Sequence, residues 1–267
     1  MRSTASVVKE LEKQLIESPI GLTIAGYDPS SGAGVTADLQ VFADLQVTGV
    51  SAITALTVQS TAGVLGLEPT SAIFLRKTLN CLSNDFPIAG VKIGMLATAQ
   101  LVDAVADFLG SKGPLRDRVV LDPVLRSSSG TALLEPEGVR RLLDALLPLV
   151  GWVTPNLDEA AALLGEGVAG RPEIPDQARK LAALGGPGLH VVITGGHLDS
   201  PDDYLRTATG EEQWFPGTRV EPRSVHGAHG TGCVFSSALL CRLLLGDAPV
   251  KAVQAAKACV VKRLQGR

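Results

Sequence analysis

His229-Gly230-Thr231-Gly232-Cys233 is followed directly by Val234, Phe235 and a run of helix formers reaching Leu245. Glycine-X-glycine just ahead of a helix leaves several N–H groups without intrahelical partners, all aimed the same way at the positive end of the helix dipole. That is a ready anion site. Cys233 stands on the same first turn, where a thiol beside a helix N-terminus is expected to have a lowered pKa. The pattern points to phosphate chemistry, although glycines before a helix also serve as plain turn residues.

A turn of this kind needs a scaffold, and the chain supplies the pattern of one. Short apolar, β-branched runs predict strands at Leu22–Ala25, Val50–Leu56, Gly90–Ile93, Val119–Leu121, Trp152–Thr154 and Val191–Thr194. Segments of helical period between them predict helices at Ala33–Gln46, Ala72–Asn84, Ala99–Leu109, Pro136–Leu147, Asn156–Leu164 and Asp176–Leu184. Strand-helix alternation implies right-handed crossovers and a mainly parallel sheet covered on both faces. After Thr194 the pattern changes: Tyr204–Thr209 and Gln213–Phe215 read as an antiparallel hairpin at the sheet edge, followed by helices at Thr231–Leu245 and Pro249–Leu264. One α/β domain over residues 19–267 is expected, preceded by an amphipathic helical extension over 1–18. Ligands of such sheets bind beyond the carboxyl ends of the strands. Asp28, Gly94, Asp122, Asn156 and Gly195 all fall there.

Composition excludes several classes. The 267 residues are 45% hydrophobic and 19% charged with a formal net charge of −3, an ordinary globular profile with material for a sizeable core. No basic stripe with interleaved aromatics appears, so nucleic acid is not an expected partner. Arg242 interrupts Leu239–Leu245, and Asp144 and Pro148 interrupt Leu142–Val153, so no membrane span is expected. The N-terminal segment has no apolar core of a secretory signal. Four dispersed cysteines without a Cys-x-x-Cys pair suggest reduced thiols in the cytoplasm, with Cys81, Cys241 and Cys259 as small core residues.

Five further segments could carry chemistry. Gly26-Tyr27-Asp28-Pro29-Ser30-Ser31-Gly32-Ala33-Gly34 lacks the Gly-Lys-Ser/Thr of a P-loop and the spacing of a dinucleotide fingerprint, which leaves a strand-to-helix turn. Asp38, on the helix that follows, is either a carboxylate facing a ligand or an exposed helix charge. Asp122 ends a buried strand, where a charge needs a partner such as a Mg²⁺–phosphate complex. Asn156 and Glu159 are spaced to hold metal-bound water or to form a capping box, and both readings stand. Gln59 offers a donor and an acceptor together, the complement of an aminopyrimidine edge, or is a plain loop glutamine.

Taken together these segments resemble the hydroxymethylpyrimidine/phosphomethylpyrimidine kinases of thiamine biosynthesis, members of the ribokinase-like superfamily. The matches run in family order over roughly residues 20 to 262: Leu22–Gly34 with Ala37-Asp38-Leu39, Ile53–Gln59, Val91-Lys92-Ile93-Gly94-Met95-Leu96, Leu121–Val124, Thr154–Leu157 with Glu159-Ala160, Gly195–Leu198 and His229–Cys233. The resemblance implies a three-layer ribokinase-like sandwich that uses ATP and Mg²⁺ to phosphorylate 4-amino-5-hydroxymethyl-2-methylpyrimidine and then its monophosphate. It assigns Gln59, Asp38 and Gly26 to the pyrimidine pocket, with Met95 and Val124 as apolar walls. Asp122, Asn156, Glu159, Thr194 and Gly196 fall near ATP and phosphates, with Asp122 and Glu159 on the metal through water. Gly230, Thr231 and Gly232 form the anion hole, and Cys233 takes the catalytic position. A homodimer is possible, since faces such as Val35, Leu39 and Phe42 suit core or interface equally.

Three positions depart from the family pattern. Thr194 replaces a lysine before Gly-Gly-His, Ser128 replaces a second lysine after Asp-Pro-Val, and Ser60 replaces an asparagine. Losing two lysines weakens the phosphate site, and Arg126 is the candidate to compensate. Ser127–Gly130 has the small residues of a mobile lid. No fused thiamine-pathway domain is expected after the last helix. Pyridoxal kinase of the same fold and a non-catalytic pyrimidine-binding relative are the alternatives.

Overall fold

The computed structural model describes residues 18–60, 63–127, 129–196, 198–223 and 226–266. Among them, nine strands form one sheet in the order β3-β2-β1-β4-β5-β6-β7-β8-β9. The strands are β1 Ile20–Tyr27, β2 Thr48–Ser60, β3 Gly63–Pro69, β4 Ile88–Ile93, β5 Val119–Leu121, β6 Trp152–Val153, β7 His190–Ile193, β8 Asp203–Arg206 and β9 Glu212–Phe215. From β2 to β7 neighbours run parallel, while β3, β8 and β9 are antiparallel at the two edges. The helices are α1 Gly34–Asp44, α2 Ala72–Asp85, α3 Ala99–Lys112, α4 Pro136–Arg141, α5 Leu157–Leu164, α6 Ile174–Gly185, α7 Thr231–Leu244 and α8 Pro249–Leu264. This is the expected three-layer sandwich.

Side-chain alternation along the strands divides the core. Val119 and Leu121 face the layer built with α3, α5 and α6, whereas Val120, Trp152 and Val192 face α1, α7 and α8. Phe42 of α1 is buried in that second core, Leu39 packs on it, and Val35 is buried as well, which settles their ambiguity in favour of the interior.

Several boundaries differ from expectation. β2 is longer than the apolar run because it pairs with β3 in a hairpin, Ser60 opposite Gly63, so Gln59 lies within the strand. The expected helix 136–147 is α only to Arg141, then opens into a π turn over Leu142–Leu146 and a 3₁₀ turn over Leu147–Leu149, with Pro148 beyond the break. Cys81 is exposed rather than in the core, while Cys241 is buried and Cys259 partly so. The expected N-terminal helix and Ser128 lie outside the described residues. The Gly130 N–H donates to the Ser127 carbonyl, and Arg126 bridges Ala132. No described helix is long and apolar enough to cross a membrane.

The strand order reverses beside β1: the chain moves from β1 to β2 on one side and returns through β4 on the other. A crevice opens at such a switch point beyond the carboxyl ends of the strands.

Candidate active site

The turn before α7 packs into that crevice. Gly230 adopts φ 78°, and a Cβ there would stand 1.9 Å from the Gly32 carbonyl oxygen, so only glycine lets the two loops touch. Among the described residues the N–H groups of Thr231, Gly232 and Cys233 have no acceptor; the first capped bond of the helix is Val234 N–H to the Gly230 carbonyl, 2.9 Å. Three N–H groups at the start of the helix are therefore left without a protein acceptor.

Asp122 stands at its mouth. Its carboxylate oxygens lie 3.8 and 3.9 Å from where a Gly232 Cβ would be, and Ser236 Oγ donates to Oδ2 at 3.0 Å. Burial raises the Asp122 pKa, against the pull of the Lys92 charge and the Ser236 hydrogen bond. Glu159 is close enough to feel it: burial first, then the Asp122 charge, push the Glu159 carboxyl up to about 8. The capping box is present, with the Asn156 N–H on Glu159 Oε2 and the Glu159 N–H on Asn156 Oδ1, both 2.9 Å. Two crowded, buried carboxylates that resist ionisation together are a hard-oxygen donor set, and Mg²⁺ fits that chemistry. Asn156 also bridges Thr194 across the ends of β6 and β7; Thr194 is partly exposed and Gly196 exposed at the same rim.

Cys233 departs from expectation in one respect. Burial pushes its thiol up to about 12, with Asp38 and Asp122 adding to the rise and Lys92 and the Gly34 backbone opposing it. The helix dipole does not lower this pKa, because desolvation outweighs it. Cys233 is nonetheless partly accessible. It is a neutral thiol beside the unpaired N–H groups of the turn.

Asp38 is corrected more fully. It is completely buried, with Lys92 Nζ 3.0 and 2.9 Å from its two oxygens, Thr23 Oγ1 donating at 2.6 Å and Ser237 Oγ at 2.8 Å. Both oxygens are taken by the protein, so Asp38 faces no ligand directly. It anchors Lys92, a residue that sequence reasoning passed over. Burial pulls the Lys92 pKa down, and the Asp38 charge followed by Cys233 and Asp122 more than reverses this, holding it above the ordinary lysine range. A lysine inside the apolar run Val91-Lys92-Ile93 was the signal that could have found it.

The opposite wall carries the remaining candidates. Met95 lies against Gly26, where a Cβ would be 2.3 Å from the Met95 methyl carbon. Val124 is partly buried nearby in sequence, after Asp122. Gln59 is partly exposed, its amide 2.9 Å from His229 Nε2 and 3.2 Å from Thr57 Oγ1. His229 Nε2 also lies 2.8 Å from Asp28 Oδ2, and Asp28 accepts from the Ser30 N–H, Ser30 Oγ and Ala33 N–H at 2.8–2.9 Å. Burial alone would raise the Asp28 pKa, but His229 and these bonds lower it. The structure thus brings Gln59, His229 and the anion-hole turn together around Asp28.

The profile of the phosphomethylpyrimidine kinase family matches residues 28–267. A hydroxymethylpyrimidine/phosphomethylpyrimidine kinase of Rhizobium meliloti is 40% identical over 241 residues, covering 90% of this chain and 88% of the relative. The crystal structure of phosphomethylpyrimidine kinase from Clostridium difficile superposes with a TM-score of 0.79 at 31% identity, over 92% of this chain and 99% of that one. Pyridoxal kinase from Staphylococcus aureus in complex with AMP-PCP and pyridoxal superposes with a TM-score of 0.78 at 28% identity, over 93% and 88%. The likeness spans sequence and fold, and the chain is a phosphotransferase belonging to the phosphomethylpyrimidine kinase family.

Proposed function

We propose that this chain transfers the γ-phosphoryl group of ATP to the hydroxymethyl oxygen of 4-amino-5-hydroxymethyl-2-methylpyrimidine, and then a second phosphoryl group to the resulting monophosphate. The observation that carries the reading is the set of unspent N–H groups at Thr231, Gly232 and Cys233, beside Asp122 and next to a thiol that stays neutral. Gln59 reads the aminopyrimidine edge, and Gly26, Met95 and Val124 form its apolar walls. Asp122 and Glu159 would hold Mg²⁺ through water, and the ion supplies positive charge against the phosphates. Asn156, Thr194 and Gly196 line the ATP side.

Phosphoryl transfer passes through a loose transition state whose charge sits on the equatorial oxygens. The N–H groups of the α7 turn receive that charge without reorganising. The acceptor oxygen needs little proton removal before transfer in such a state, so a neutral Cys233 suffices. In the second step the acceptor is itself an anionic phosphate. A carboxylate at residue 233 would repel it, and a thiol does not.

An ADP-release assay offering hydroxymethylpyrimidine, its monophosphate and pyridoxal side by side tests this. Turnover of the first two above pyridoxal is expected. Turnover of pyridoxal alone would establish the second reading, which the Staphylococcus aureus neighbour favours; turnover of none would leave a binding protein. Use of ATP and four free thiols suit the cytoplasm. Leu56, Val58 and Leu65, all exposed on the β2–β3 hairpin, suit a homodimer, which sedimentation would reveal.

A further inference from the structure

Two independent contacts decide which way the Gln59 side chain faces. At one end stands His229, whose Nε2 is 2.8 Å from the Asp28 carboxylate. Asp28 is lowered in pKa and is surrounded by donors, from Ser30 and Ala33, so it has no proton to give. Nε2 of His229 therefore carries the hydrogen and donates. That single N–H is shared between Asp28 Oδ2 and the Gln59 atom 2.9 Å away, and an NH₂ group there would set donor against donor, so the Gln59 atom is the amide oxygen; nitrogen and oxygen exchange by a half-turn of the terminal torsion.

At the other end stands Thr57. Its hydroxyl lies 3.0 Å from the Tyr27 carbonyl oxygen, which can only accept, so the single Thr57 proton goes there. What Thr57 Oγ1 turns toward Gln59, 3.2 Å away, is a lone pair. The Gln59 atom facing it must donate, which makes it the NH₂ group. Both ends give the same answer.

We propose that His229, fixed by Asp28, and Thr57, fixed by the Tyr27 carbonyl, lock the Gln59 amide in one orientation and make it selective for a 4-aminopyrimidine over its 4-oxo counterpart. The lock leaves one lone pair on Oε1 and one N–H on Nε2 for a ligand, in fixed order. A 4-aminopyrimidine offers a donor at the exocyclic amine and an acceptor at N3. The 4-oxo form offers the reverse, an acceptor at O4 and a donor at N3. Only an amide turned by half a revolution complements it, and that turn sets donor against donor at Thr57 or at His229. His229 and Thr57 are positioning residues here and touch no reacting atom. His229 also joins this reading edge to the anion-hole turn one residue away.

This inference rests on the aminopyrimidine reading above, and its test separates the two. The ratio of kcat/KM for 4-amino-5-hydroxymethyl-2-methylpyrimidine to that for the 4-oxo analogue is measured in the wild type and in His229→Leu, His229→Gln, Thr57→Val and Gln59→Leu. Gln59→Leu is expected to abolish the preference. His229→Leu and Thr57→Val each free one end of the amide, and the ratio is expected to fall about tenfold, with rising 4-oxo turnover contributing. His229→Gln keeps an N–H donor between Asp28 and Gln59 and is expected to keep most of the ratio. If Gln59→Leu collapses the ratio while His229→Leu and Thr57→Val leave it at the wild-type value, the lock is wrong and the site reading survives. If Gln59→Leu changes nothing, or the wild type ignores the aminopyrimidine, both fall. Thr57→Val lies outside the phosphate turn, so it decides the matter even where His229→Leu does not fold.

Discussion

Lys92 donates to both carboxylate oxygens of Asp38, at 2.9 and 3.0 Å, and neither side chain reaches solvent. The pair lies beneath the site, its positive end felt by Cys233 and Asp122. Thr23 and Ser237 satisfy the remaining lone pairs of Asp38, which is what makes a buried ion pair tolerable. Lys92→Met leaves an uncompensated carboxylate and is expected to cost about 3–5 kcal/mol in urea unfolding. Lys92→Met/Asp38→Asn is expected to cost clearly less than the sum of its single changes. Additive losses would mean that the two residues act independently.

Glu159 makes the stability of the nucleotide-free protein depend on pH. Its carboxyl titrates near 8 when folded, raised from the 4.5 of a free glutamate. Below the lower value both folded and unfolded chains are protonated. Between them only the unfolded chain loses its proton, so stability falls as pH rises through this window and levels off above it. Asp122 is shifted in the same direction and adds to the trend. Glu159→Gln removes the Glu159 part. Its melting temperature relative to wild type is therefore expected to gain a few degrees between about pH 5 and about pH 8.5, while ATP turnover drops. A constant offset at both pH values would contradict the assignment.

Much of this arrangement was legible from residue order, for identifiable reasons. Parallel strands buried on both faces leave unbroken runs such as Val119–Leu121, and local caps such as Asn156 with Glu159 involve residues three apart. The β3 strand was missed because Gly63-Val64-Leu65-Gly66-Leu67-Glu68-Pro69 carries two glycines and has no fully buried residue, so its pairing rather than its composition makes it a strand. The burial of Asp38 had a local sign: Val35, Asp38, Val41 and Phe42 recur at helical spacing on the inner face of α1. Lys92 stood out only as a lysine inside an apolar run, and nothing in residue order joined it to Asp38, 54 residues away. Cys233 shows a local rule overridden, since the dipole argument was sound for an exposed helix end and lost to burial. The Gln59–His229 contact joins residues 170 positions apart and belongs to the fold alone.

A neutral Cys233 makes two measurable demands. With its thiol pushed up to about 12, the thiolate fraction at pH 8 is on the order of 10⁻⁴, so iodoacetamide is expected to label Cys233 far more slowly than exposed Cys81. In kinetics, Cys233→Ser is expected to retain both phosphorylations, whereas Cys233→Asp spares the alcohol step relative to the phosphate step, because only the second acceptor is already an anion. Equal loss of both steps in Cys233→Asp would remove charge as the reason for a thiol.

Two glycines two positions apart separate the fold of the proposed anion hole from its use. Gly230 has φ 78°, and a Cβ would meet the Gly32 carbonyl oxygen at 1.9 Å. Gly230→Ala must therefore move the turn, costing about 1–3 kcal/mol of stability together with activity. Gly232 has ordinary helical freedom, and its nearest neighbours to a new Cβ are the Asp122 oxygens at 3.8 and 3.9 Å. Gly232→Ala should fold with wild-type stability, since only a methyl of helix-favouring alanine is added. That methyl points into the space between Asp122 and the free N–H groups, where the migrating phosphoryl must pass. A loss of kcat of tenfold or more at unchanged melting temperature is the expected result, about the value of one displaced oxyanion donor. Full activity in Gly232→Ala would place the phosphoryl path elsewhere in the crevice.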